Sequence, residues 1–228
     1  EPVTREAWDA LDLIEIKNRA ERLQTSLRTA ASTQGGAVSL ADFVVEKLLG
    51  KGTNAFAYLA RCRPGGKLGA HVDMLVALKV VLHHKMIGAT AAMQAEIEAV
   101  FKKTVADELR GPGIPEFRSN IVHVLGHFDD DLSGLPDYAT NVDSEFVDPN
   151  TSIIVLPFFS GGDLDGMIKN TAQLSEAAIL NILTQVVDAI VKLQKPTETS
   201  PVGIAHRDLK PDNIFFAGSK KELALADF

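Results

Sequence analysis

A single cysteine, Cys62, stands in the 228-residue chain, which excludes an internal disulfide and any CxxC metal pattern. That usage suits a reducing compartment, and the expected location is intracellular, in the cytoplasm. No uninterrupted apolar run approaches the roughly 18 residues of a membrane span. The start, Glu1-Pro2-Val3-Thr4-Arg5-Glu6, lacks the apolar core of a secretory signal and lacks an initiating methionine, as a chain missing its first residues would. An excess of basic charge is also missing: the formal net charge of −7 argues against a broad nucleic-acid or anionic-membrane surface. The imbalance is local, because Asp129, Asp130, Asp131, Asp137, Asp143, Glu145 and Asp148 share a segment without lysine or arginine. With 46% hydrophobic and 23% charged residues, what remains is a globular chain of one or two domains with a real core.

From Thr4 to about Ser32, Trp8, Leu11, Ile16, Ala20, Leu23 and Leu27 recur mostly at three- and four-residue steps, which predicts an amphipathic helix ended by Gln34-Gly35-Gly36. Strand-like runs follow, Phe43 to Leu49 and Ala57 to Ala60, around the turn Gly50-Lys51-Gly52-Thr53-Asn54-Ala55. A glycine-rich hairpin lets backbone amides approach phosphate oxygens, and the order strand, turn, strand excludes a dinucleotide fingerprint and a Walker A loop. After Pro64-Gly65-Gly66, Met74 to Val81 reads as an apolar strand interrupted by Lys79, whose burial would demand a partner. Ala91 to Val105 reads as a helix, with the adjacent His83 and His84 as its exposed approach, and Asn120 to Phe128 as a strand. The acidic stretch Asp129 to Asn150 is expected as a solvated, partly disordered insertion, with docking of a basic substrate as the sharper alternative. Thr151 to Phe159 reads as a strand, and Leu174 to Leu193 as a core helix through Ile179, Ile182, Val186, Ile190 and Leu193. Ile214 to Phe216 and Leu223 to Leu225 form a predicted hairpin around Gly218 that delivers Asp227-Phe228.

The most informative stretch is His206-Arg207-Asp208-Leu209-Lys210-Pro211-Asp212-Asn213. It sets an acid, a cation and a metal-ligating amide at fixed offsets. A carboxylate can orient a hydroxyl and accept its proton, a lysine can neutralise a transferring phosphoryl group, and an amide oxygen can hold magnesium. The string resembles the catalytic loop of eukaryotic protein kinases, and Lys210, two residues after Asp208, matches the serine/threonine branch. Val76-Ala77-Leu78-Lys79 resembles that family's strand lysine motif, and Asp227-Phe228 the start of Asp-Phe-Gly. The Gly50 to Ala55 turn is similar to the phosphate-covering loop, with Asn54 in place of the usual tip aromatic and Ala55 in place of the third glycine.

The resemblance implies a two-lobed α+β protein-kinase-like fold, a small antiparallel-sheet lobe and a mainly helical one, with ATP and Mg2+ between them. It implies Asp208, Lys210, Lys79 and Glu96 as catalytic residues. Glu96 and Glu98 are both candidates on the helix; Glu96 shares a face with Val100, at the spacing that the family packs into its core, whereas Glu98 shares one with Lys102. Gly50, Lys51, Gly52, Ala57 (where the family usually has valine), Ala77, Lys79 and Phe215 are implied around the nucleotide. Leu156 is implied as gatekeeper, Pro157 and Phe159 as backbone contacts to adenine and Asp163 as the ribose contact. Asn213 and Asp227 are the implied metal ligands, and a protein with a serine or threonine acceptor the implied partner. The corresponding division is an N-terminal helical extension over 1–38, the first lobe over 39–159 with the acidic insertion at about 129–150, and an incomplete second lobe over 160–228. A chain ending at Phe228 is expected to be a fragment, inactive alone. A nucleotide-binding pseudokinase scaffold and a small-molecule phosphotransferase are the alternatives.

Overall fold

The computed structural model describes residues 4–32, 38–52, 55–84, 90–109, 120–135, 147–171, 173–196, 202–218 and 222–227. They fall into two compact units, the first drawn from residues 22–109 and 124–158, the second from residues 4–21, 120–123 and 159–227. The N-terminal segment, expected as an extension of its own, is divided between them. Among the described residues no helix is long and apolar enough to cross a membrane.

The first unit is a five-stranded antiparallel sheet: β1 (Phe43–Lys51), β2 (Ala55–Cys62), β3 (Leu75–His84), β4 (Gly126–Asp131) and β5 (Val147–Pro157), in the order β1-β2-β3-β5-β4. Its strand-period pattern settles which face is buried. Phe56, Tyr58 and Ala60 on β2 pair with Val80, Leu78 and Val76 on β3, and all six are buried. Cys62 is buried too, and that burial, helped by Asp73 and Asp42, pushes its thiol up to about 12, so it stays protonated.

Two expectations change here. The acidic stretch begins as strand, Asp129, Asp130 and Asp131 pairing with Ser152, Thr151 and Asn150. Local donors hold its carboxylates: the Ser152 hydroxyl on Asp129 at 2.5 Å, the Leu40 amide on Asp130 at 2.6 Å and the Ser133 amide on Asp131 at 2.6 Å. These bonds offset the poor strand propensity of aspartate. Asp137, Asp143 and Glu145 lie outside the described residues. His83 and His84, expected as an exposed helix approach, instead end β3, because the buried apolar run continues past Val81 through Leu82. The His83 ring stacks on Phe101 of α3 (Ala91–Leu109), centroids 4.2 Å apart.

The N-terminal helix is two helices. α1 (Arg5–Asp9) is capped by the Thr4 hydroxyl, and α2 (Leu13–Ser32) starts anew where the Asp12 carboxylate accepts from the Glu15 amide at 2.8 Å. An aspartate favours the cap over the helix interior, so the break falls there. The apolar positions nonetheless become buried: Trp8, Ile16, Ala20 and Leu23 are all at 0% exposure.

In the second unit, β6 (Ile214–Phe216) and β7 (Leu223–Leu225) form the expected hairpin, with α4 (Leu164–Asn170) and α5 (Glu176–Gln194) beside it. Ile182, Val186, Ala189 and Leu193 of α5 pack with Ile121, Ile214, Phe216, Leu223 and Leu225. Ile179, expected on that stripe, is instead 43% exposed, in the first turn of the helix.

One charge is buried against expectation. Lys17 of α2 is 1% exposed, donates to the Ile121 carbonyl and lies 3.4 Å from Nδ1 of His123. Among the described residues no carboxylate pairs with it, and burial lowers its amine from 10.5 to about 7. Unfolding restores the higher value, so between these limits the unfolded chain binds the extra proton and stability rises with pH. The Lys17 contribution to the unfolding free energy should therefore climb by a few kcal/mol from pH 7 to pH 10. Lys17→Met should remove that climb, and chemical denaturation showing the same slope in both proteins would contradict it.

Candidate active site

The residues expected around a nucleotide form two groups, one in each unit. In the first unit the sheet register places Ala57 opposite both Gly50 and Lys79, Lys79 opposite Ile154, and Ala77 opposite Leu156. Side chains alternate along a strand, so Ala57, Ala77, Lys79 and Leu156 share the face opposite the buried core, and each is only partly buried. Small residues at 57 and 77 leave room on that face, and Leu156 and Lys79 border it. Pro157 ends β5 paired with Val76. At the β1–β2 turn the Gly52 amide donates to the Ala55 carbonyl at 2.9 Å, and Lys51 Nζ lies 5.2 Å from the Phe56 ring centroid. Thr53 and Asn54 lie outside the described residues.

In the second unit the loop Asp208–Asn213 closes through one buried side chain. Asn213 is 4% exposed, and its Nδ2 donates to the Asp208 carbonyl at 2.8 Å and to Asp208 Oδ2 at 3.1 Å. The same carboxylate oxygen is 2.8 Å from Lys210 Nζ. Lys210 first, then Asn213, holds the Asp208 carboxyl below the ordinary carboxylate range, and Asp208 in turn raises the lysine. His206 is buried, which lowers its imidazole value, and both its carbonyl and its Nδ1 accept from the Asp208 amide. Asp227 follows β7 at φ 59, and the Ala226 amide before it donates to the Asn213 carbonyl at 2.9 Å. Since Nδ2 of Asn213 is spent on Asp208, the amide oxygen is the group left for a cation. An amide oxygen and a carboxylate, as on Asn213 and Asp227, are donor types that suit magnesium. Among the described residues no cluster of three or more His, Cys, Asp or Glu side chains could hold a metal ion.

Phe159, Asp163 and Phe215 meet in this unit as well. Asp163 forms a bridge with Phe215, and the Phe159 and Phe215 rings stack at 6.4 Å. Asp163 also caps α4, its Oδ1 accepting from the Gly166 amide at 2.6 Å.

The helix glutamate differs from expectation. Glu96 is exposed, and Val100, expected to pack inward four residues later, is 60% exposed. Glu98 is the carboxylate turned towards β3: its Oε2 lies 3.0 Å from His83 Nε2 and its Oε1 3.1 Å from Lys102 Nζ. The His83–Phe101 stacking fixes this rotation of α3, and helix periodicity alone cannot say which stripe a histidine ring will hold.

Sequence reasoning missed Gly161. Its amide donates to the Phe216 carbonyl at 3.0 Å, and a Cβ there would stand 2.4 Å from the Ala217 carbonyl oxygen. The Gly161-Gly162 doublet was the available signal, since paired glycines mark a close backbone approach.

The family description "Protein kinase domain" matches residues 43–228. The Aurora/IPL1-related protein kinase 2 of Caenorhabditis briggsae is 23% identical over 215 residues, covering 93% of this chain and 56% of the relative. Aurora kinase B of Danio rerio is 24% identical over 203 residues, 88% of this chain and 49% of the relative. The serine/threonine-protein kinase TOUSLED of Arabidopsis thaliana is 38% identical over 74 residues, 32% of this chain and 10% of the relative. The chain thus spans about half the length of the first two of these relatives.

Gly161→Ala should cost about 1–3 kcal/mol, because its neighbours are backbone carbonyls that cannot turn away. Gly162→Ala, at φ 75 with nothing within 4 Å of the added carbon, should cost only about 1 kcal/mol. Thermal unfolding in which Gly161→Ala is the milder change would contradict this packing.

Proposed function

The chain belongs to the protein kinase family through the domain at residues 43–228, and we propose that it transfers the γ-phosphoryl group of ATP to serine or threonine hydroxyls of a protein. The acceptor class is supported by Lys210 two residues after Asp208 and by the similarity to TOUSLED, a serine/threonine-protein kinase. One observation carries the reading: the Asp208 carboxylate is held, ionised, by Lys210 and Asn213.

In this reading Asp208 accepts a hydrogen bond from the substrate hydroxyl and takes its proton as the oxygen attacks the γ-phosphorus and the bond to ADP breaks. Lys210 lies beside it and offsets charge on the group in transfer. Lys79 holds the α- and β-phosphates, while the amides of the Gly50–Gly52 turn cover them. Ala57, Ala77 and Leu156 line the adenine, the backbone groups of Pro157 and Phe159 meet its edge, and Asp163 meets the ribose. Asn213 and Asp227 hold Mg2+, which when bound neutralises phosphate charge.

Asp208→Asn in the full-length protein should lower transfer by roughly 100-fold to 10,000-fold and leave ATP affinity nearly unchanged, because it removes proton acceptance and no phosphate contact. Tens-fold weaker ATP binding with little loss of turnover would refute the role. Lys79→Met should also lose most activity, and a paired measurement assigns the helix carboxylate. Loss on Glu96→Gln alone supports Glu96, whereas loss on Glu98→Gln alone moves the role to Glu98.

A further inference from the structure

We propose that the N-terminal helix α2 is a positioning clamp on β7, the strand that leads to Asp227, fastened through Lys17 and Glu222. The proposal rests on the reading of Asp227 as a magnesium ligand.

The Leu225 amide donates to the Asn120 carbonyl at 2.9 Å, and the Val122 amide donates to the Leu225 carbonyl at 2.8 Å. Residues 120–122 thereby add a parallel partner to β7, with Ile121 bridged to Leu225. In a parallel bridge of this form the carbonyl of the bridged residue points away from its partner. The Ile121 carbonyl is buried with its residue at 0% exposure, so it needs a donor from outside the strands. Lys17 of α2 supplies a donor, and Nδ1 of His123 lies 3.1 Å from the same oxygen.

The second fastening lies four residues earlier on the same face of α2. The Leu13 amide, a first-turn donor without an intrahelical acceptor, donates to Glu222 Oε2 at 2.8 Å, and Glu222 directly precedes β7. A carboxylate at a helix start is also favoured by the helix dipole. Lys17 and Leu13 thus grip both the strand beside β7 and the residue that begins it. Inside the clamp, Asn120 Nδ2 donates to the Leu223 carbonyl at 2.8 Å, and the Leu223 amide donates to Gln185 Oε1 at 3.0 Å.

The path to the site is short. β7 ends at Leu225, the Ala226 amide is tied to the Asn213 carbonyl, and Asp227 is the next residue. The separation of the two proposed metal ligands therefore depends on where β7 lies: β6 holds it along one edge, and α2 fastens the segment on its other edge and the residue before it.

The test uses Lys17→Met, Glu222→Ala and Glu222→Gln in the full chain, with Asp227→Asn as reference. Two readouts are taken: amide hydrogen exchange at Leu225 and Ala226, and the Mg2+ concentration giving half-maximal binding of a fluorescent ATP analogue. Local exchange is separate from any global stabilisation that removing a buried charge brings. Lys17→Met and Glu222→Ala should speed exchange at these amides by roughly tenfold, the scale of one lost hydrogen bond, and raise the Mg2+ requirement several-fold. Glu222→Gln keeps an oxygen that can accept from Leu13 and should restore both. Unchanged exchange in both variants overturns the clamp. Faster exchange with an unchanged Mg2+ requirement overturns its action on the site and leaves only a structural contact. If Asp227→Asn itself leaves the Mg2+ requirement unaltered, the magnesium reading falls and the clamp's role falls with it.

Discussion

The arrangement of the second unit depends on where the buried amide of Asn213 sends its hydrogens. Nδ2 donates twice to Asp208, once to its carbonyl and once to its carboxylate. The Asn213 amide bonds the Lys210 carbonyl, and its own carbonyl accepts from Ala226. One residue therefore fixes the acid, the turn carrying the cation and the approach to Asp227. A buried amide left without partners would cost about 1–3 kcal/mol, so the loop closes as a unit or not at all.

The motifs were legible in the sequence because their spacing is local. Asp208, Lys210 and Asn213 lie within one turn, so eight consecutive letters specify what the fold needs to bring them together. Strand alternation likewise predicted β2 and β3, and with their register it puts Ala57, Ala77 and Lys79 on one face. The hairpin of β6 and β7 was legible for the same reason.

What was not legible depends on partners far away in the chain. Lys17 looks like an ordinary charge on an amphipathic helix, and only the Ile121 carbonyl, 104 residues on, explains its burial. The aspartates of β4 look like a solvated loop until donors from Leu40 and Ser152 are placed beside them. Glu96 was preferred through Val100, yet α3 presents Glu98 to β3 because the ring of His83 stacks on Phe101 and sets its rotation. Gly161 carried a signal in its doublet, but the carbonyls of Phe216 and Ala217 that forbid a side chain belong to a strand over 50 residues later. In each case helix or strand period fixes a face, and a long-range contact decides what that face meets.

The measurement that bears most directly on this account is the titration of the Asp208 carboxyl, followed by carbon NMR in the wild-type chain and in Lys210→Ala. Held first by Lys210 and then by Asn213, the group is predicted to titrate below the ordinary value of 3.8 in the wild type, and to move back towards it when the lysine is removed. An Asp208 that titrates at or above 3.8 and ignores Lys210→Ala would contradict the claim that this loop keeps an ionised acid in place.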